Sequence, residues 1–150
     1  MNQEKIMKRK MISAIILWLM TLVALLVFIG LYIDQKNAVQ RQYKEQFRTE
    51  LSHASKEIDS YLTNGGDLEL RYKRIYSAVS CANSYAFLVD DFADEQRAIN
   101  GINTCLIKYP EQMGARMEEL KTAIDDIIAD LDRGYEEADA LVVSVDKKGN

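Results

Sequence analysis

The sequence predicts an all-α protein in which a single transmembrane helix continues into an antiparallel, up-down bundle of three to four helices. Residues 11–33 contain no charged residue, which is typical of a membrane span. Beyond them, apolar residues recur at spacings of three and four, the period of helices that pack on one face. One proline and seven glycines in 150 residues leave little room for the turns of a β fold. We therefore expect a basic flank at 1–10, a span at 11–33, a bundle at 34–146 and a disordered tail at 147–150.

The apolar segment, residues 11–33, is long enough to cross a bilayer as a helix. At 1.5 Å per residue its 23 residues reach about 34 Å, against roughly 30 Å of hydrocarbon. The flank before it holds four basic residues and one acidic residue: Lys5, Lys8, Arg9, Lys10 and Glu4. The positive-inside rule therefore predicts a cytoplasmic N-terminus and an extracytoplasmic C-terminal domain at the cell membrane.

A cleaved signal peptide is the alternative to an uncleaved signal anchor. Signal peptides have shorter apolar cores of ~7–15 residues and end in a small-residue cleavage site. The apolar segment is longer than that and exits as FIGLYIDQ, which contains no A-x-A pattern. We therefore prefer the uncleaved anchor.

Charge limits the partners of the domain that follows. Of the 19 basic and 23 acidic residues, four and one lie in 1–33, so 34–150 holds 15 basic and 22 acidic residues, a net charge of −7. Such a domain repels nucleic acid and anionic lipid, so no nucleic-acid role is expected. Its length suffices for one modest hydrophobic core.

The first bundle helix is expected to continue from the apolar segment to residue 62. Its apolar stripe is Val39, Tyr43, Phe47, Leu51, Ala54, Ile58 and Leu62. Gly65 and Gly66 are typical of a helix C-terminus, and Asp67 is suited to N-cap the next helix.

The second helix carries one apolar face, made of Leu68, Tyr72, Ile75, Val79, Ala82, Ala86 and Val89. Asp91, followed by Asp94 and Glu95, indicates a third helix that continues to Tyr109, because carboxylates favour the first turn of a helix. The alternative is one uninterrupted helix over 68–108.

The fourth helix is expected to begin at Pro110 and to run to Val145, because apolar residues keep alternating spacings of three and four over about 35 residues. Its central residues form a candidate interaction seam: Leu120, Ile124, Ile127, Leu131 and Tyr135. The seam is suited to pack in the bundle or in a coiled coil. In an up-down bundle the tail lysines, Lys147 and Lys148, would lie near the lipid headgroups.

Cys81 and Cys105 are candidates for a disulfide. If the chain turns at residues 92–94, each lies about twelve residues from the turn, which places them at the same height in an antiparallel hairpin. An oxidising extracytoplasmic compartment would then allow the bond. The alternative is a pair of thiols that pack as small hydrophobic groups.

Arg71, Lys73 and Arg74, interleaved with Tyr72 and Tyr76, form a candidate anion-binding or partner surface. The alternative is that these cations pair with acidic residues of neighbouring helices.

Catalytic, cofactor and metal motifs are not found in the sequence. His53 is the single histidine, and neither an H-E-x-x-H pattern nor a calcium-loop spacing occurs, so no catalytic, cofactor-binding or metal-binding residue is assigned. We expect the protein not to be an enzyme and to use no cofactor.

We expect a membrane-anchored interaction or accessory protein, whose helix faces pack against a protein partner or a second copy of the chain. One alternative is an extracytoplasmic ligand sensor that works with a separate output protein, since residues 1–10 are too short for an output domain. The expected bundle resembles the extracytoplasmic four-helix sensor domains of chemoreceptors in architecture alone. The other alternative is a homo-oligomeric coiled-coil envelope protein.

Overall fold

The structure is a computed structural model that describes residues 2–63 and 66–145. This part of the chain forms six α-helices and no strand: α1 Asn2–Leu62, α2 Leu68–Ala86, α3 Ala93–Lys108, α4 Pro110–Gly114, α5 Met117–Ala129 and α6 Tyr135–Ser144. The all-α prediction is confirmed. The chain divides into two compact units, Met1–Val39 and Gln40–Asn150, with the boundary inside α1. The predicted tail, including Lys147 and Lys148, lies outside the described residues.

The first unit is helical throughout its described residues, and its side chains are exposed on every side. Within the apolar segment the exposed fraction of the large apolar side chains runs from 39% at Leu22 to 71% at Phe28. The serine and threonine side chains of this segment donate hydrogen bonds to carbonyl groups of the same helix. Ser13 Oγ donates to the Lys10 carbonyl and Thr21 Oγ1 to the Leu17 carbonyl, each at 2.9 Å.

The second unit has one hydrophobic core, to which α1 contributes a single stripe. Phe47, Leu51, Ala54 and Ile58, spaced by four, three and four residues, are completely buried. This spacing places all four on one helical face, as the sequence predicts. Most of the other residues in that part of α1 are polar and at least partly exposed.

The two ends of the connection from α1 to α2 follow the prediction, whereas Gly65 lies outside the described residues. α1 ends at Leu62, and Asp67 caps α2, its Oδ1 accepting a hydrogen bond from the Leu70 amide at 3.1 Å. α2 then runs back along α1: Arg71 contacts Glu57, whereas Leu88 contacts Gln40. The two helices are therefore antiparallel.

The predicted break between the second and third helices is confirmed at residues 87–92, here called the α2–α3 turn. Ser80 Oγ donates to Asn103 Oδ1 at 2.7 Å, and Asn83 Nδ2 donates to Asn100 Oδ1 at 3.3 Å, so α3 is antiparallel to α2. An uninterrupted helix over 68–108 is excluded.

α5 completes the up-down order by running antiparallel to α1. Ser55 and Asp59 of α1 meet Asp125 and Lys121 of α5, respectively, so that the residue numbers rise on one helix as they fall on the other.

The single long fourth helix of the prediction is wrong, because the chain forms α4, α5 and α6 in its place. Gly134 adopts φ +82°, a left-handed conformation that L side chains rarely adopt, and reverses the chain after α5. α6 then runs parallel to α3, with Arg97 beside Asp139 and Gly101 beside Val142. The apolar spacing survives this reversal because Leu131 and Tyr135 both pack against the core from the turn.

Candidate functional site

In the described part of the chain, the exposed large apolar side chains are concentrated in the apolar segment. α1 is the helix in the described chain that is long and apolar enough to span a membrane, and none of its most apolar window is buried. Contiguous apolar patches larger than a few hundred Å² on a protein surface mark sites of interaction with membranes or partners. This segment is therefore the first candidate site.

The predicted interaction seam does not form a surface. Leu120, Ile124 and Ile127 are completely buried, and Leu131 and Tyr135 are half-buried against the same core. In the folded bundle this seam is occupied by the chain's own helices, contrary to the expectation that it contacts a partner. The physical reason is the reversal at Gly134, which folds α6 back onto α3 and α5.

Tyr135 belongs to an aromatic row that joins three parts of the bundle. Its ring meets the edge of Phe92 at 6.0 Å between centroids, and Phe92 meets Phe47 in the same way at 5.4 Å. The Tyr135 hydroxyl is buried and has no hydrogen-bond partner within the described residues. Burial, aided by the negative charges of Glu95 and Asp132, raises the pKa of this phenol, so it stays protonated.

A depression of about 410 Å³ opens beside Tyr135, where α5 turns into α6. We call it the acidic depression; it is lined by Asp126, Asp132, Arg133, Gly134, Tyr135, Glu136 and Glu137. Four carboxylates against one guanidinium make it electronegative. Sequence reasoning missed it because the depression exists only where the chain reverses, and the turn was not predicted.

The predicted cationic surface is largely neutralised. Arg71 Nη1 lies 2.7 Å and Arg74 Nη1 3.4 Å from the two carboxylate oxygens of Glu57, and Lys73 Nζ lies 2.6 Å from Glu69. The structure therefore favours the alternative interpretation, in which these cations pair with nearby carboxylates.

Glu57 holds α1 and α2 together through this pairing. The hydrogen bond from Arg71 lowers the pKa of the Glu57 carboxyl; burial opposes it, and the positive charges of Arg71 and Arg74 add to the lowering. The residue after Arg71, Tyr72, donates its hydroxyl to the Leu106 carbonyl at 2.8 Å and so joins α2 to α3.

A second polar cluster joins α1 to α5. Ser55 Oγ donates to Asp125 at 2.5 Å, and Lys121 Nζ lies 2.5 Å from Asp125 and 3.5 Å from Asp59. Burial acts to raise the pKa of Asp125, but the hydrogen bonds from Lys121 and Ser55 outweigh it and lower that pKa. Asp125 therefore stays ionised and fixes the register of α5 on α1.

The structure does not support the predicted disulfide. Both cysteines are thiols, Cys81 exposed on α2 and Cys105 buried on α3. The hydrogen bonds between Ser80 and Asn103 and between Asn83 and Asn100 place Cys81 opposite residue 102. The two cysteines are therefore offset by three residues, about 4.5 Å along the helix, and Cys81 faces outward.

Gln40 holds the α2–α3 turn with both ends of its side-chain amide. Its Nε2 donates to the Leu88 carbonyl at 3.1 Å, and its Oε1 accepts from the Asp90 amide at 2.8 Å. Asp91 follows with φ +56°, which directs the chain into α3. No sequence pattern marks Gln40, because a glutamine on a polar helix face has no distinctive spacing.

Among the residues that the structure describes, no group of three or more histidine, cysteine or acidic side chains is placed to hold a metal ion. His53 is exposed, with Nδ1 3.6 Å from a Glu50 carboxylate oxygen on the same helix. Comparison with protein-family models, with curated proteins and with solved structures finds no match to this chain.

Proposed function

We propose that this chain is a single-pass membrane protein whose extracytoplasmic helical bundle serves as an interaction or accessory subunit of a membrane complex. The observation that carries this proposal is a contrast within one chain. The apolar segment is uncharged and exposed all round, whereas most of the apolar residues of the second unit are packed into their own core. A helix that is hydrophobic all round is stable only when an apolar medium or partner surrounds it.

The polar groups of the apolar segment are compatible with a lipid environment. In hydrocarbon every polar group must be satisfied within the protein, and Ser13 and Thr21 each donate to a carbonyl of their own helix. The basic flank of residues 5–10 favours a cytoplasmic N-terminus, which leaves residues 34–150 on the outer side as an uncleaved signal anchor would.

The bundle supports a role in binding rather than in chemistry. Its buried polar contacts, such as Ser55 with Asp125 and Arg71 with Glu57, join helix to helix and are occupied in that task. Exposed apolar side chains remain on several helices, including Tyr76 on α2, Ile107 on α3 and Val143 on α6. These are the positions at which a protein partner or a second copy would be detected.

The test is site-specific photo-crosslinking of the full chain in native membranes. A photoreactive amino acid replaces Tyr76, Ile107 or Val143 in turn, and Ile124, which is fully buried, serves as the matched control. We expect one membrane partner to be captured from at least one exposed position and none from Ile124. Capture of only the chain itself would favour the homo-oligomer, and no crosslink from any exposed position would contradict an interaction role.

A second candidate function is ligand sensing with a separate output protein. It is favoured by the Tyr135 hydroxyl, which is buried without a partner in the described chain beside the acidic depression. Small cationic molecules suit such a site. A bound amine would raise the melting temperature of the purified full chain by several degrees, and Tyr135→Phe would reduce that rise. No rise across a panel of mono- and polyamines would exclude amine binding at the acidic depression.

A further inference from the structure

The α2–α3 turn exposes two large apolar side chains side by side. Phe87 is 64% and Leu88 is 48% exposed, whereas Val89 and Phe92 of the same turn are 7% and 5% exposed. The turn therefore divides its apolar residues into an inner pair that belongs to the core and an outer pair that faces away from it. We call Phe87 and Leu88 the outer pair.

The outer pair is held in place and does not belong to a loose loop. The Leu88 amide donates to the Tyr85 carbonyl at 2.9 Å, and the Leu88 carbonyl accepts from Gln40 at 3.1 Å. In the same turn, Phe92 makes an edge contact with Phe47 of the core. Binding at a surface therefore requires little further ordering of this backbone.

Chain length places the outer pair near the membrane if the apolar segment spans it. Gln40 follows the last apolar residue, Ile33, by seven residues, and even a fully extended chain of that length reaches only about 25 Å. Because Gln40 bonds to Leu88, the same limit applies to the turn. Leu62, at the other end of the bundle, lies 22 residues beyond Gln40 on α1, or about 33 Å further along the helix.

The size and chemistry of the outer pair fit a lipid surface better than a protein. A stable protein interface buries about 800 Å² on each partner, which is more than two side chains supply. An aromatic ring beside a leucine suits the boundary between headgroups and acyl chains. Asp90 and Asp91 follow directly, and their negative charges disfavour anionic headgroups.

We propose that Phe87 and Leu88 insert into the headgroup region of the bilayer that holds the apolar segment, with a preference for zwitterionic lipid. This inference rests on the proposed membrane anchor and adds a second, peripheral contact to it. Such a contact would fix which end of the bundle faces the membrane. The opposite end, which exposes Leu68 and Leu70 by 40% and 46%, supplies a matched apolar pair for comparison.

The test uses the full chain in phosphatidylcholine nanodiscs and the quenching of tryptophan fluorescence by lipids brominated near the headgroup. The sequence has one tryptophan, Trp18, within the apolar segment. In a Trp18→Phe background, Phe87→Trp reports on the outer pair, and Leu70→Trp is the control at the far end. Leu88→Trp gives a second, independent readout of the outer pair if Phe87→Trp perturbs the fold.

We expect brominated lipid to reduce the emission of the Phe87→Trp or Leu88→Trp protein by about twofold or more, and to leave the Leu70→Trp protein unchanged. Equal quenching at the two ends would overturn the inference. The native Trp18 separates this result from failure of the anchor. If lipid brominated deep in its acyl chains quenches Trp18 but lipid brominated near the headgroup does not quench the outer pair, the anchor stands and the inference fails; if neither lipid quenches Trp18, both fail.

Discussion

The apolar segment and the core of the bundle contain the same types of apolar side chain, but these side chains are exposed in the segment and buried in the core. Ile16 in the apolar segment is 52% exposed, and Ile124 in the core is completely buried. In the bundle the apolar residues keep to one face of each helix, because the other face must remain wet. In the apolar segment they surround the helix. The comparison teaches that the distribution of apolar residues, more than their number, separates a helix that the chain can cover from one that needs an external apolar medium.

The largest effect expected from this comparison is a difference in the free energy of unfolding between two isoleucine truncations, one in the core and one in the apolar segment. Ile124→Ala leaves a cavity in a closed core and should lower the free energy of unfolding by about 4 kcal/mol. Ile16→Ala should change it by less than about 0.5 kcal/mol, because the Ile16 side chain is 52% exposed and leaves no cavity when it is truncated. Denaturant unfolding of the full chain in detergent, followed by near-ultraviolet circular dichroism, measures both. Equal losses would remove the distinction between the two regions.

A second prediction compares the effect on membrane insertion of an arginine placed inside the apolar segment with that of an arginine placed just beyond it. Leu25→Arg, at the middle of the apolar segment, should oppose membrane insertion by about 3 kcal/mol in apparent free energy. Gln35→Arg, just beyond the segment, should have little effect because arginine there reaches water. A glycosylation-based insertion assay reports the inserted fraction of each variant. Failure of the natural segment to insert in this assay would argue against a membrane span.

A substitution at Gly134 tests what allows the chain to reverse between α5 and α6. A Cβ at Gly134 would lie 2.7 Å from the Ala123 carbonyl oxygen and 2.8 Å from Ile127 Cγ1, in addition to the strain of its positive φ. We expect Gly134→Ala to cost about 2 kcal/mol or more of stability.

Gly66 is the matched control for Gly134, because it also has positive φ, at +100°, but a Cβ there meets no atom within 4 Å. Gly66→Ala should therefore cost about 1 kcal/mol, from backbone strain alone. Equal costs at the two glycines, measured by thermal unfolding, would show that the close approach at Gly134 does not stabilise the reversal.

The smallest effect concerns the ion pair between α1 and α2. The pKa of Glu57 lies below its ordinary value of 4.5, so its stabilising contribution is present above that pH and is lost as pH falls through the lowered pKa. Glu57→Gln should cost about 1 kcal/mol at pH 7, and the difference from the natural chain should shrink below about pH 4.5.

Asp94 is the control for Glu57, because its pair with Arg97 is highly exposed. Asp94→Asn should change stability by less than about 0.5 kcal/mol at either pH. A Glu57→Gln difference that stays constant from pH 7 to pH 3 would contradict the role assigned to the charge.

The parts of the fold that follow from local pattern could be predicted from the sequence. The stripe through Phe47 and Ile58, the cap at Asp67 and the break before Asp94 each depend on residues close together in the chain, and each is present. The fold of residues 110–145 could not be predicted in this way. Leu131 and Tyr135 keep helical spacing across a chain reversal, and that reversal depends on how Gly134 fits against α5.

The candidate sites were harder to predict because they depend on register between helices. A shift of three residues between α2 and α3 separates Cys81 from Cys105. The pairing of Arg71 with Glu57 and the capture of the α2–α3 turn by Gln40 involve residues 14 to 50 positions apart. No local pattern in a single sequence predicts contacts between residues so far apart in the chain.

The central claim is that a folded bundle lies outside a membrane that the apolar segment crosses. The most direct measurement is labelling of thiols in intact cells or spheroplasts with a membrane-impermeant maleimide after mild reduction. Because Cys81 is exposed and Cys105 is buried, we expect one label per chain, lost in Cys81→Ser, with Cys105 reacting only after denaturation. Labelling of Cys81 only once the membrane has been permeabilised would contradict the proposed orientation.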